Sequence, residues 1–291
     1  MAHTIDLNED RGALIRTLRI ALSIVVIATI VCVFLLPYMW LVSSGLKTQE
    51  HVFSDVFPLS WRTFIPVNAT FDNVIELFRD DGLGRALFNS LIVAVMQVGG
   101  TLVLAPPAAY ALTRIKFRGR GVVLAVILAT FMLPTEALVV PMYTVFSSIG
   151  LQDSLIAVAL PWVASAFGLF LLTPGFEEIP RELDEAARID GANHFKIFWS
   201  VILPNVKTSL ITLCLLVFLF SWNSFLWPLV IIQSPQKQVV QVAIAQSVSP
   251  GTLPNWGVTF AGAAVATLPL IILFLILQRY FVTGLASSGL K

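Results

Sequence analysis

Between residues 178 and 204 the chain carries its densest set of charged and corner-forming residues: Glu178, Pro180, Arg181, Glu182, Asp184, Glu185, Arg188, Asp190 and Gly191. Their order describes a short polar helix with a defined start and stop. Pro180 suits a first-turn position, the acidic residues crowd the positive N-terminal end, and Gly191 can take the left-handed conformation that ends a helix. A second short segment, His194 to Ile202, leads to Leu203 and Pro204. Taken alone, such a loop reads as an ordinary acidic amphipathic loop helix.

A few polar residues stand inside apolar surroundings. Glu136, two residues past Pro134, would cost about 2.5 to 3.5 kcal/mol at a bilayer centre, so it is expected to avoid lipid. It could hydrogen-bond a polar solute in a cavity, pair with a second subunit or lie near a headgroup; the sequence leaves all three open. Asn223, with Trp222 and Trp227, combines amide donors with aromatic faces. That mix suits a polyhydroxy solute and equally suits helix packing. Asn89 and Gln97 read as interhelical hydrogen-bond partners. His51 and His194 read as isolated, solvated loop residues, and Cys32 and Cys214 lie alone in apolar runs, with no metal-ligand or disulfide spacing.

These residues need membrane helices to position them. The 291-residue chain is 57% hydrophobic and only 12% charged, with a mean hydropathy of +0.87, against roughly 25% charge in a soluble domain. Six apolar runs, at 20–42, 87–112, 121–146, 154–173, 208–232 and 257–278, are each about twenty residues or longer, enough to cross hydrocarbon. Helices satisfy their own backbone groups there, so the expected fold is an all-α membrane protein with six transmembrane helices. Residues 1–19 form an N-terminal segment, 43–86 an external loop, 87–279 the core with the 178–204 loop, and 280–291 a tail. Asp6, Glu9 and Asp10 ahead of the first run, and the lack of a small-residue cleavage site after it, argue for an uncleaved helix.

Orientation follows from Lys and Arg. Thirteen of the 18 flank one set of helix ends, including Arg114 to Arg120 and Arg181 to Lys207, while Lys47, Arg62, Arg79, Arg85 and Lys237 lie on the other. This places both termini in the cytoplasm. A net charge of +1 spread over short loops makes no basic face and excludes nucleic acid. Prolines in every run, at 37, 106, 107, 134, 141, 161, 228 and 269, predict kinks throughout. Within 43–86 the amphipathic stretch Asn73 to Phe78 fits either an ordered outer flap or an interfacial helix.

Glu185-Ala186-Ala187, Asp190-Gly191-Ala192 and Leu203-Pro204 resemble the EAA coupling loop of ABC importer permeases. Further stretches resemble the carbohydrate branch, in particular the shorter permeases of maltose and glycerol-phosphate type. These are Met132-Leu133-Pro134, Pro141-Met142-Tyr143, Gly150-Leu151-Gln152-Asp153, Ser221 to Leu229, and Gln278 to Leu285. The tail departs from the pattern at Ala286 and Ser288-Gly289-Leu290. The resemblance implies a type I ABC importer permease fold in a prokaryotic plasma (inner) membrane. It implies four kinds of partner: a homologous second permease, a dimeric cytoplasmic ATPase, an extracytoplasmic solute-binding protein, and a sugar substrate. It also implies that the 178–204 loop docks into the ATPase and transmits its closure, with Glu185 offering a charge to an ATPase Arg or Lys, Ala186 and Ala187 giving a narrow face that can enter its cleft, and Gly191 making the corner. No GxxxxGK(S/T) phosphate loop occurs, so ATP and Mg belong to the partner ATPase and this chain binds no cofactor.

Two other readings are weaker. A membrane-embedded enzyme built on Glu136 lacks a second group of opposed role, and a gated channel leaves the docking loop without purpose. Among importers, a glycerol 3-phosphate carrier is the runner-up. Neutral sugars are favoured because no Lys or Arg falls in the membrane interior apart from Lys207 and Arg279 at the ends of their runs.

Overall fold

The computed structural model describes residues 7–79, 82–248 and 255–288, with side chains over 15–79, 82–248 and 255–278. Asp6, Asp80, Asp81, Gly289, Leu290 and Lys291 lie outside the described residues, and so do the side chains of Glu9, Asp10, Arg11 and everything from Arg279 onward. Among the described residues the chain is helical with no strand, and it divides into two units.

The first unit takes residues 1–76 and 255–264. Its α1 (Leu7–Gly45) is longer than the expected 20–42, and its most apolar stretch presents itself entirely outward, as a helix meant for lipid or another subunit does. The segment that follows is ordered into short helical turns at Gln49–Ser54 and Trp61–Phe64, with a helix beginning at Asp72. Buried polar residues hold it. The Lys47 ammonium pairs with Asp55 at 3.2 Å and donates to the Arg62 carbonyl at 2.6 Å, while the Asn73 amide donates to the Gly45 and Lys47 carbonyls at 2.9 and 2.7 Å. Ser60 and Thr63 close a capping box on the second turn.

The second unit takes residues 77–254 and 265–291 and is built around α2 (Leu83–Arg114), which stays continuous through Pro106 and Pro107. Around it run α3 (Arg120–Phe131), α4 (Thr135–Ser148), α5 (Leu155–Ala159) with a 3₁₀ turn at Leu160–Trp162, and α6 (Ala166–Glu177). Then come α7 (Arg181–Ile189), α8 (His194–Ile197), α9 (Lys207–Trp222), α10 (Leu226–Ile231), α11 (Val240–Ser247) and α12 (Trp256–Ser288), which begins in the first unit. One core packs Ala105, Ala109, Leu172, Phe176 and Leu213 toward the Arg114 end of α2; another packs Val93, Phe146, Trp227 and Ile231 toward its start.

Three helices, α1, α2 and α12, are long and apolar enough to cross a membrane on their own; the count reaches six only if each of three bent pairs is one span. The expected single run at 121–146 is two helices meeting at 98°. Pro134 lacks an N–H and forces Leu133 out of the helical region, so α3 stops at Phe131 and α4 starts afresh with Pro134 as its cap. The run at 154–173 bends by 43° after Trp162, where the Ser165 hydroxyl accepts the Gly168 N–H to restart α6. The run at 208–232 ends as a helix at Trp222, and α10 is a separate short helix with Pro228 in its first turn. Kinks throughout were expected from proline, yet Pro37, Pro141 and Pro269 also sit inside continuous helices.

Candidate functional site

The 178–204 loop folds as two arms around a corner. The first arm is α7, with Glu182 and Asp184 in its first turn and Pro180 as its cap, one position outside the helix rather than in its first turn. Gly191 adopts φ +81°, the left-handed conformation that its position requires. Its N–H bonds to the Arg188 carbonyl at 3.0 Å, and that of Ala192 bonds to the Ala187 carbonyl at 2.9 Å. This pair is a Schellman termination. Asn193 then caps the second arm by accepting the Lys196 N–H at 2.8 Å. That arm widens into a π-helix over Phe198–Ile202, just ahead of Pro204, whose missing N–H frees the Ser200 carbonyl.

The two faces of α7 differ. Asp184 is buried and Ala187 packs with Ala192 against the core, so of the two alanines only Ala186 is exposed, beside Glu185. The narrow face expected from both alanines is therefore half turned inward. Large apolar groups stand outward instead: Ile189 is 87% exposed, Phe195 72% and Trp199 52%. Leu203 is partly buried and Pro204 exposed. Arg181, Arg188 and Lys116 edge a notch of about 280 Å³ beside Glu185.

The last turns of α2 brace both arms. The Arg114 guanidinium, 2% exposed, donates to Asp184 Oδ2 at 3.3 Å, to the Ile179 carbonyl at 2.6 Å and to the Phe176 carbonyl. One cation thus closes the C-terminal end of α6 and fixes α7. One turn earlier, the Tyr110 hydroxyl meets His194 Nδ1 at 3.0 Å, and its ring lies 5.4 Å from that of Phe198. His194 is thus bonded, not merely solvated as its loop position suggested. Read from the sequence, Arg114 is one of several orientation-setting cations. The available signal was a carboxylate, Asp184, at helical spacing from Ala187 on one side of a polar helix.

The other expected site residues are scattered. Trp222 is 2% exposed, stacks on Phe218 and donates Nε1–H to the Ala266 carbonyl at 3.0 Å. Trp227 is 3% exposed and donates Nε1–H to the Ala157 carbonyl at 2.9 Å. Both indoles are packed into the core with their N–H groups satisfied, which is the packing reading of those two residues. Asn223 is exposed and donates to the Leu219 carbonyl one turn back. Glu136 is exposed in the first turn of α4, at the helix end that favours an anion. Asn89 donates to the Gln236 carbonyl in a 3₁₀ turn and to the Gln238 carbonyl just after it, at 2.9 Å each. Both amide atoms of buried Gln97 lack a protein partner.

In the turn between α4 and α5, the Asp153 carboxylate accepts the Ser234 hydroxyl at 2.5 Å, the Ser234 and Gln233 N–H groups at 2.9 and 3.0 Å, and the Lys237 ammonium at 3.0 Å. The bonds from Ser234 first, then Lys237 and Gln233, hold its pKa well below the usual carboxylate range.

Helices long and apolar enough to cross a membrane mark an integral membrane protein. The chain belongs to the family of binding-protein-dependent transport system inner membrane components, whose model matches residues 101–287. It is accordingly an ABC transporter permease subunit and not itself an enzyme. It is 35% identical over 260 residues to a trehalose transport system permease of Mycobacterium tuberculosis, covering 88% of this chain and 92% of that one. It is 34% identical over 206 residues to an sn-glycerol-3-phosphate transport system permease of Yersinia enterocolitica, covering 70% of this chain and 73% of that one. Among solved structures it resembles a chain of a bacterial ABC transporter that imports the acidic polysaccharide alginate, with a TM-score of 0.81, 25% identity, and coverage of 91% and 97%.

Proposed function

We propose that this chain forms half of the transmembrane pathway of an ATP-driven importer for sugars or oligosaccharides. It pairs with a second permease and receives solute from an extracytoplasmic binding protein. Its six spans are α1, α2, α3 with α4, α5 with α6, α9 with the arm leading into it, and α12. Both termini and the 178–204 loop are cytoplasmic. The loop docks into a separate ATPase through Glu185, Ala186 and the corner at Asp190-Gly191-Ala192, with Leu203 and Pro204 joining the second arm to α9.

The observation that carries this reading is the division of α7 into a locked face and a free one. Asp184 and Ala187 are fixed to the membrane helices, while Glu185 and Ile189 project outward. An isoleucine 87% exposed at the tip of a polar loop is a contact waiting for a partner surface. Replacing it by Asp should leave the fold intact and release the ATPase during purification through a tag on this subunit, with uptake lost. Retained ATPase and normal uptake would refute the docking role. A reporter fused after Gly191 should be active only in the cytoplasm; external activity would overturn the topology as well.

For the substrate, the named relatives support both sugars and glycerol 3-phosphate. Binding assays on the cognate solute-binding protein decide between them.

A further inference from the structure

In the first unit, the sixteen residues 56–71, between the turn Gln49–Ser54 and the helix that begins at Asp72, contain a single charged side chain, that of Arg62. The stretch is shorter than the about 20 residues that cross hydrocarbon and is divided by Pro58 and Pro66, so it is no span. A buried core segment would have the same composition, yet here the apolar side chains stand outward. Phe57 and Leu59 are 85% and 72% exposed, and Trp61, Ile65, Val67 and Phe71 are each more than half exposed.

Polar groups take the inside. Lys47 and Thr63 are buried, the Thr63 hydroxyl donates to the Asp55 carbonyl at 2.7 Å, and the Thr70 N–H donates to the Leu46 carbonyl at 2.9 Å. With the Lys47 bonds to Asp55 and to the Arg62 carbonyl, these contacts close the stretch into a compact loop whose two ends are fastened just past α1. The Trp61–Phe64 turn packs on α1 itself. Charged and polar side chains of a loop in water are mostly exposed. This loop reverses that order and displays its apolar residues on a fixed frame.

We infer that residues 56–71 are an interfacial anchor, lying among the lipid headgroups and upper acyl chains at the Gly45 end of α1. Continuity favours lipid as the occupant. The most apolar stretch of α1 faces entirely outward, and the loop is fastened where that helix ends, so its apolar face extends a surface already in the membrane. Trp61 suits this level with its apolar body and polar N–H. Arg62, 5.8 Å from the Trp61 ring, can bury its stem while its charge stays with the headgroups. Protein interfaces that form and dissolve are about as apolar as ordinary surface, and this face is far more so. The inference needs only that α1 spans the membrane and is independent of the substrate.

The test uses the assembled transporter in nanodiscs of phosphatidylethanolamine and phosphatidylglycerol. Phe57→Cys, Leu59→Cys and, as a control at an exposed acidic position, Glu76→Cys are made singly in a chain carrying Cys32→Ala and Cys214→Ala, and each is spin-labelled. Oxygen concentrates in lipid and a nickel chelate stays in water. The ratio of oxygen to nickel collisions should be several-fold higher at 57 and 59 than at 76. Nickel access at 57 and 59 equal to that at 76 would leave the loop in water and overturn the inference. Low access to both reagents would mean that the partner permease covers it, and shielding that develops only when the solute-binding protein is added would make it that protein's dock; either result overturns the lipid anchor and leaves the importer reading intact. Trp61→Phe gives a readout without a label. The part of the tryptophan emission that brominated lipid quenches should fall in this variant, and no fall would also overturn the inference.

Discussion

Arg114→Met removes the buried cation that joins α2, α6 and α7 while keeping much of the stem's volume. The structure sets the size of the effect. Asp184 would stay buried with Oδ2 newly unpaired, and its Oδ1 has no partner even now. The Ile179 and Phe176 carbonyls would each lose a charged donor. Breaking a buried pair from one side costs about 3–5 kcal/mol. The double change Arg114→Met with Asp184→Leu removes both charges and should recover part of that loss, leaving the two carbonyls as the residual cost. Unfolding of the purified complex in a denaturing-detergent titration would give the four free energies of the cycle, with ATPase retention and uptake measured on the same preparations. Arg114→Lys should fall between wild type and Met, since an ammonium cannot span a carboxylate and two carbonyls as the planar fork does. Free energies that simply add across the cycle, or wild-type stability in Arg114→Met, would refute the claim that this pair holds α7.

Gly191→Val should cost about 1–3 kcal/mol from backbone strain alone, because a Cβ there meets nothing within 4 Å, and Gly191→Asn should be nearly neutral; proteolytic protection of the loop and stimulated ATP hydrolysis would show whether the corner is displaced. Gly45→Ala places a Cβ 2.7 Å from backbone atoms of Ala261, which cannot rotate away, and should destabilise by about 1–3 kcal/mol with a visible drop in folded yield. The depressed pKa of Asp153 contributes stability that is complete above its unfolded value of about 3.9 and is lost as pH falls toward the folded value; unfolding midpoints from pH 6 down to pH 3 should fall more steeply in wild type than in Asp153→Asn. Glu136→Gln should leave the stability of the isolated subunit unchanged, given its exposure, and should alter uptake if the carboxylate faces the partner permease; equal uptake in the Gln and Ala variants would remove it from the pathway.

Charge pattern and the left-handed glycine were legible because they are local. Pro180, Gly191 and the acidic first turn specify α7 without reference to anything distant, and the helix boundaries followed to within a residue or two. The breaks in the apolar runs were less legible, since a proline in a membrane helix either bends or ends it. Pro106 and Pro107 are absorbed by a helix packed along much of its length, whereas Pro134 divides two exposed segments with little around them to restore the lost bonds. The roles of Trp222 and Trp227 were ambiguous for another reason. An indole suits a solute or a core equally well, and only the partner of its N–H tells them apart. Here the Ala266 and Ala157 carbonyls take that role.

Placing Arg114 and Tyr110 one turn apart on α2 has a mechanical consequence for the proposed coupling. The first arm is tied through Asp184 and the second through His194 and Phe198, so a push on either arm reaches the same end of the same helix. At its other end α2 holds Asn89 and Ser90, whose side chains fasten the 236–240 segment, and midway it carries Gln97. A continuous helix is stiff over this distance, and its unbroken course through Pro106 and Pro107 contrasts with the broken spans on either side. The backbone suits the proposed coupling: one continuous helix joins the loop to the 236–240 segment, and bent helix pairs of the kind that can flex stand around it.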